Sequence, residues 1–153
     1  MKIEVKDLGW NMLMRAVRAM AGKSVLDVGV FDDGPSRNGD SASNAEIALV
    51  HEFGSPAQGI PERSFMRSTI DANRQKYHRE MQRIADKVLS GAPTTQALNL
   101  LGMRAANDMK RTIQGGIPPP LKPETVARKG SAKQLVDTGQ LITAITWRLS
   151  RVP

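Results

Sequence analysis

Asn44-Ala-Glu-Ile-Ala-Leu-Val-His-Glu-Phe-Gly-Ser55, followed after a short loop by Ile60-Pro-Glu-Arg-Ser-Phe-Met-Arg67, couples a short helix, a glycine stop and a second helix introduced by a proline. Asn44 is a candidate N-cap, Ile47, Leu49, Val50 and Phe53 supply an apolar stripe for burial, and Gly54 takes the positive φ that ends the helix. Pro61 fixes the backbone just ahead of Phe65 and Met66, so the second helix enters at a set angle.

Outward from this unit the pattern is helical, then extended. From Arg63 to about Leu89, apolar residues (Phe65, Met66, Ile70, Tyr77, Met81, Ile84, Val88, Leu89) recur at three- and four-residue spacings, which predicts one long amphipathic helix. Gly91-Ala-Pro breaks it, and Thr94 or Thr95 can cap a further helix through Leu98, Leu101, Ala105, Met109 and Ile113 to Gly115. Residues 115–123, with three consecutive prolines, read as a rigid strap, and Pro123 to Gly130 as a short helix. Ile142 to Val152 alternates as a final strand with Ile145, Trp147 and Leu149 on one side. Before the opening unit, Val5 to Met20 reads as an amphipathic helix and Ser24 to Phe31 as a strand with Val28 and Val30 on one face. Residues 32–43, rich in Asp, Gly, Ser and Asn, read as a mobile loop. The expectation is a single α+β domain over residues 1–153: a small antiparallel sheet packed against one long and several shorter helices. Two strands are marginal alone, so a third strand, hidden in a loop or supplied by a neighbouring subunit, is also expected.

Near the other end lies Pro119-Pro-Leu-Lys-Pro-Glu-Thr-Val-Ala-Arg-Lys-Gly130, continuing through Leu135-Val-Asp-Thr-Gly-Gln-Leu141 to Ile145. Together with the HEFG and IPERSFMR segments, in this order, it resembles the tail-completion proteins of tailed bacteriophages, also described as neck, virion-morphogenesis or minor tail components. The resemblance covers roughly residues 25–149, with the middle helices matching in pattern only. It implies a small structural protein without cofactor or metal that joins tail to head, commonly as a homo-oligomeric ring between the head connector or adaptor and the tail tube or terminator. It also implies synthesis in the bacterial host cytoplasm and a place in the virion.

Composition bounds the alternatives. With no cysteine, disulfides, cysteine-based zinc sites and thiol nucleophiles are excluded. No apolar run is long enough to span a bilayer, and the first 22 residues carry too many charges for a signal-peptide core. The net charge of +7 is uneven: −2 over residues 1–53, +3 over 54–103 and +6 over 104–153. The basic end suits an acidic protein ring or phosphates, and a basic nucleic-acid-binding module is the alternative function. With three Phe, two Trp and one Tyr, base-stacking platforms are not expected. The candidate partner-binding residues are Arg128, Lys129 and Lys133 in the basic third, and Asp33 and Arg37 in the polar loop.

Two motifs invite an enzymatic reading. His51-Glu52 begins like the H-E-x-x-H zinc motif, but position 55 is Ser and the second histidine, His78, belongs to another helix. Glu52 is expected to meet a backbone donor or an arginine instead. Leu135-Val-Asp-Thr-Gly139 matches the turn of aspartic proteases, whose two aspartates share a proton across a dimer. Only 14 residues follow Gly139, too few for the strands that cradle such a turn, so Asp137 or Thr138 is read as a cap and Gly139 as a positive-φ position. Asp27, Asp32, Asp33 and Asp40 match no metal-binding spacing, and the chain is read as a non-enzyme.

Overall fold

The computed structural model describes residues 24–32, 42–129 and 139–151, together with Met14 and Arg18; of Thr125, Arg128, Lys129 and Arg151 it describes the backbone alone. Apart from Met14 and Arg18, which are helical, the expected helix at Val5 to Met20 lies outside the described residues, as does the body of the 32–43 loop. Within them the chain is α+β, as expected. In order the elements are β1 (Ser24–Val30), α1 (Asn44–Phe53), a 3-10 turn (Pro56–Gln58), α2 (Phe65–Leu89), α3 (Thr94–Gly115), α4 (Pro123–Lys129), α5 (Gln140–Ala144) and β2 (Ile145–Arg151). The sheet is two-stranded among these residues: β1 and β2 pair antiparallel from Ser24 opposite Arg151 to Val30 opposite Ile145. The expected third strand is not found among the described residues.

Alternation decides which face of the sheet is covered. Val28 and Val30 from β1 and Ile145 and Trp147 from β2 turn toward the helices, where they meet Phe65 of α2 and Ala106, Met109 and Ile113 of α3. A second cluster of Tyr77, Leu101 and Ala105 joins α2 to α3 and receives Leu26 and Ile84. Close approach of α3 to the sheet depends on Gly102: a Cβ there would stand 2.5 Å from Cδ1 of Trp147 and 2.8 Å from Cδ1 of Leu26. The Trp147 indole N–H donates to Oδ1 of Asn99 at 3.1 Å, one turn earlier on α3.

Polar groups midway along the helix pair find partners in one another. Asp108, on the inner side of α3, accepts at Oδ2 from Lys76 Nζ at 2.5 Å and from the Tyr77 hydroxyl at 2.9 Å. Burial and the neighbouring carboxylate push the Tyr77 phenol well above its ordinary value, so it stays a protonated donor. Thr69 and Thr112 face each other across the same seam, Oγ1 to Oγ1 at 2.6 Å.

Several boundaries differ from the sequence reading, each for a local reason. The N-cap of α1 is Ser43, not Asn44: the Ser43 hydroxyl accepts from Glu46 N at 3.1 Å while the Glu46 carboxylate accepts from Ser43 N at 2.7 Å, a reciprocal pair that Asn44 cannot form. The N-cap of α3 is Pro93, which has no capping side chain, and neither Thr94 nor Thr95 takes the role. The last strand starts at Ile145, because Gln140–Ala144 first makes a short helix opened by Gly139 at φ 74°. The strap runs from Gly116 to Lys122, with its Ile117 side chain buried and the Pro118–Pro119 bond cis.

Candidate interaction surface

The surface is built by the unit quoted at the outset, with α1 turned differently from its apolar pattern. Ala48 and Glu52 are the buried residues of α1, whereas Leu49 is 59% and Phe53 61% exposed. Ile47 and Val50 are half-buried. The expected stripe of Ile47, Leu49, Val50 and Phe53 is therefore corrected: its two largest side chains face outward. The physical reason is the partner that Glu52 finds. Its Oε1 accepts from Ser64 Oγ at 2.6 Å and from Arg67 N at 3.0 Å, and its Oε2 accepts from Met66 N at 2.9 Å. A carboxylate on α1 thus caps the N-terminus of α2, where backbone N–H groups lack intrahelical partners and the helix dipole favours negative charge. Ser64, the N-cap of α2, makes no side-chain capping bond of its own.

Two further constraints hold α1 against α2. Gly54 ends α1 at φ 74°, and a Cβ there would lie 2.8 Å from Glu62 N. Arg63, only 5% exposed, donates its backbone N–H to the His51 carbonyl at 2.7 Å; its side chain donates to the Pro119 carbonyl at 3.0 Å and the Pro120 carbonyl at 3.4 Å. Burial lowers its guanidinium pKa from the ordinary value. One arginine therefore ties the α1–α2 corner to the proline strap.

Between β1, α1 and the first turns of α2 lies an open groove of about 630 Å³. Val28 and Val30 form one wall, Ala48, Leu49 and Phe53 a second, Met66 and Ile70 a third, and the buried Met109 of α3 the floor. Ile70 is 41% exposed, although its place in the helical pattern predicted burial. Asp32 and Glu46 stand at the groove, and Arg67 is paired with Glu62 on its edge.

None of the sequence-predicted partner residues has a described side chain. Asp33, Arg37 and Lys133 lie outside the described residues. Arg128 and Lys129 fall on α4 by backbone alone. Asp137 and Thr138 also lie outside. Glu52 meets two backbone donors and a serine hydroxyl, in accord with the expectation that it reaches a backbone donor. Among the described residues no group of three or more His, Asp or Glu is placed to hold a metal ion, and no helix is long and apolar enough to cross a membrane. The groove itself escaped the sequence reading, although one signal was present: Ser43 followed three residues later by Glu46 is a capping-box pattern that marks where α1 begins.

Comparison with family models, curated proteins and solved structures finds no match to this chain.

Proposed function

We propose that the protein is a phage structural component that completes the tail end or neck and joins tail to head as an oligomeric ring. The observation that carries this reading is the inversion of α1. Its acid is buried as a structural cap, while Leu49 and Phe53, with Ile70 of α2, project around an apolar groove. A corner locked by Glu52, Gly54 and Arg63 that displays apolar side chains suits recognition of another protein surface. The ordered resemblance of the HEFG, IPERSFMR and LVDTGQL segments to tail-completion proteins supplies the identity of the assembly. Its place is then the virion, after synthesis in the host cytoplasm, and its partners are further copies of itself, the head-side adaptor and the tail-side tube or terminator.

The direct test is complementation. Particles made without the chain should accumulate as separate heads and tails that join when the purified protein is added. Normal infectious particles formed in its absence would overturn the reading. The excess of +6 over residues 104–153 favours one alternative, a basic nucleic-acid-binding module. That alternative requires DNA affinity that falls steeply as salt rises, by roughly three to five orders of magnitude between 50 and 200 mM for six to ten phosphate contacts.

A further inference from the structure

The groove has a complement on the same protomer. The outer side of α3 carries Leu100 and Met103, 46% and 39% exposed, followed along the same side by the exposed Arg111. Helical periodicity places these residues relative to the groove. At about 100° per residue, the nine steps from Leu100 to Met109 make two and a half turns. Met109, the groove floor, therefore projects from the opposite side of α3. One protomer presents an apolar groove with acidic residues on one side and an apolar ridge with a cation on the other, and the two point away from each other.

We propose that α3 of one copy seats its Leu100–Met103 ridge in the Leu49–Phe53–Ile70 groove of the next, so that copies associate head to tail. The occupant of the groove is thus a second copy of this chain. Charge supports the pairing, because Asp32 and Glu46 at the groove would meet Arg111 on the ridge, and opposite potentials steer and register such docking. The ridge from Leu100 to Arg111 covers about 17 Å of α3. Because groove and ridge are different surfaces facing opposite ways, the contact is heterologous. It leaves a free groove at one end of any oligomer and a free ridge at the other, and closes only as a ring. The inference rests on the ring reading above and supplies the contact that would build it.

The chain has no cysteine, which makes thiol cross-linking a clean test. Phe53→Cys and Met103→Cys are made singly and together, each checked for native circular dichroism, and treated at high protein concentration with a bismaleimide of short span. Head-to-tail contact predicts a ladder of dimers, trimers and higher species from the double variant, and little cross-linking from either single variant. Mixing the two single variants should give dimers and no larger species, because each pair then has one reactive groove and one reactive ridge. Efficient dimers from Phe53→Cys alone would show groove meeting groove and overturn the proposal. So would the absence of cross-links in the double variant. Failure of either kind, with head–tail joining by the unmodified protein intact, would leave the functional reading standing and remove only this interface. Loss of joining in the complementation assay would remove the functional reading whatever the cross-links show.

Discussion

Replacing Glu52 by Ala tests whether the α1–α2 corner is held as described. The substitution removes an acceptor of three hydrogen bonds from a residue that is 5% exposed, two of them from the backbone N–H groups of Met66 and Arg67. Hydrogen bonds to a charged group contribute about 1.5–3 kcal/mol each, so losing the two backbone bonds removes roughly 3–6 kcal/mol in gross terms. Part returns, because the Ser64 hydroxyl, released from donating to Glu52, can turn and cap one of the freed N–H groups for about 1 kcal/mol. The expected net loss is about 3 kcal/mol, a large share of the roughly 5–15 kcal/mol of a typical domain. At about 2–4 °C per kcal/mol for a chain of this size, Tm should fall by about 10 °C. Glu52→Gln separates shape from charge: it retains one oxygen but turns an NH2 toward a site that needs an acceptor, and should lose about half as much. Adding Ser64→Ala to Glu52→Ala should cost about a further 1 kcal/mol, while Ser64→Ala alone removes only one donor to a carboxylate that keeps its backbone partners. Urea unfolding of the four variants measures these differences. A loss below about 1 kcal/mol for Glu52→Ala would refute the assignment of its carboxylate as the cap of α2.

Three further outcomes are expected. Gly102→Val should destabilise by about 1–3 kcal/mol in urea unfolding, since its side chain would overlap the Trp147 ring and Leu26 in a packed core; a neutral result would mean that α3 does not approach the sheet as described. Arg63→Met, which keeps the stem and removes the donors to Pro119 and Pro120, should leave circular dichroism unchanged but speed proteolytic cleavage near residues 118–122, and unchanged cleavage would mean that the strap is held elsewhere. Converting Arg128, Lys129 and Lys133 together to Glu changes local charge by six units and should abolish head–tail joining with an unaltered melting profile; normal joining would show that this cluster serves only solubility.

How far the sequence could be read depended on which physics governed each element. The extents of the long helix ending at Leu89 and of the helix ending at Gly115, and the inward alternation of Ile145, Trp147 and Leu149, followed from periodicity, although Ile70, Met81 and Leu89 of the long helix's apolar pattern are exposed. α1 did not follow. At ten residues it is short enough for one tertiary interaction to set its rotation, and that interaction joins a carboxylate to a helix end twelve or more residues later. A hydrophobicity pattern assigns Phe53 to the core, but the structure turns it outward and buries Glu52 instead, on the backbone donors expected for it. The groove was invisible for the same reason, since it is made of what α1 turns outward. Arg63 was given no role by the sequence, and only the fold shows that it meets the strap carbonyls. Of the residues chosen from charge alone, Asp33, Arg37 and Lys133 lie outside the described residues and Arg128 and Lys129 are placed by backbone only.

The energetics of the outward-facing residues bear on how a ring of such subunits would form. Leu49, Phe53 and Ile70 are each already about half covered, so complete burial would yield roughly 1–1.5 kcal/mol apiece, and Leu100 and Met103 on the facing ridge about 1 kcal/mol each. The sum, roughly 5–6 kcal/mol, is comparable with the 4 kcal/mol or more that association loses in translational and rotational freedom. A single pair in the proposed arrangement is thus weak, and in solution the surplus charge of +7 further opposes association of like subunits. Closure changes the balance. The last subunit of a ring makes two contacts while losing its freedom once, so the closed form gains from an effective concentration that the open chain lacks. A subunit with these surfaces should therefore remain mostly dispersed at low concentration and pass to closed rings over a narrow range, without long-lived open intermediates. Docking on an existing ring of the head or tail, which presents many sites at fixed spacing, would lower the concentration at which this happens. Sedimentation velocity across a concentration series distinguishes the cases: monomer and one large species support closure, whereas a continuous spread of growing oligomers would mean that the contact angle does not close.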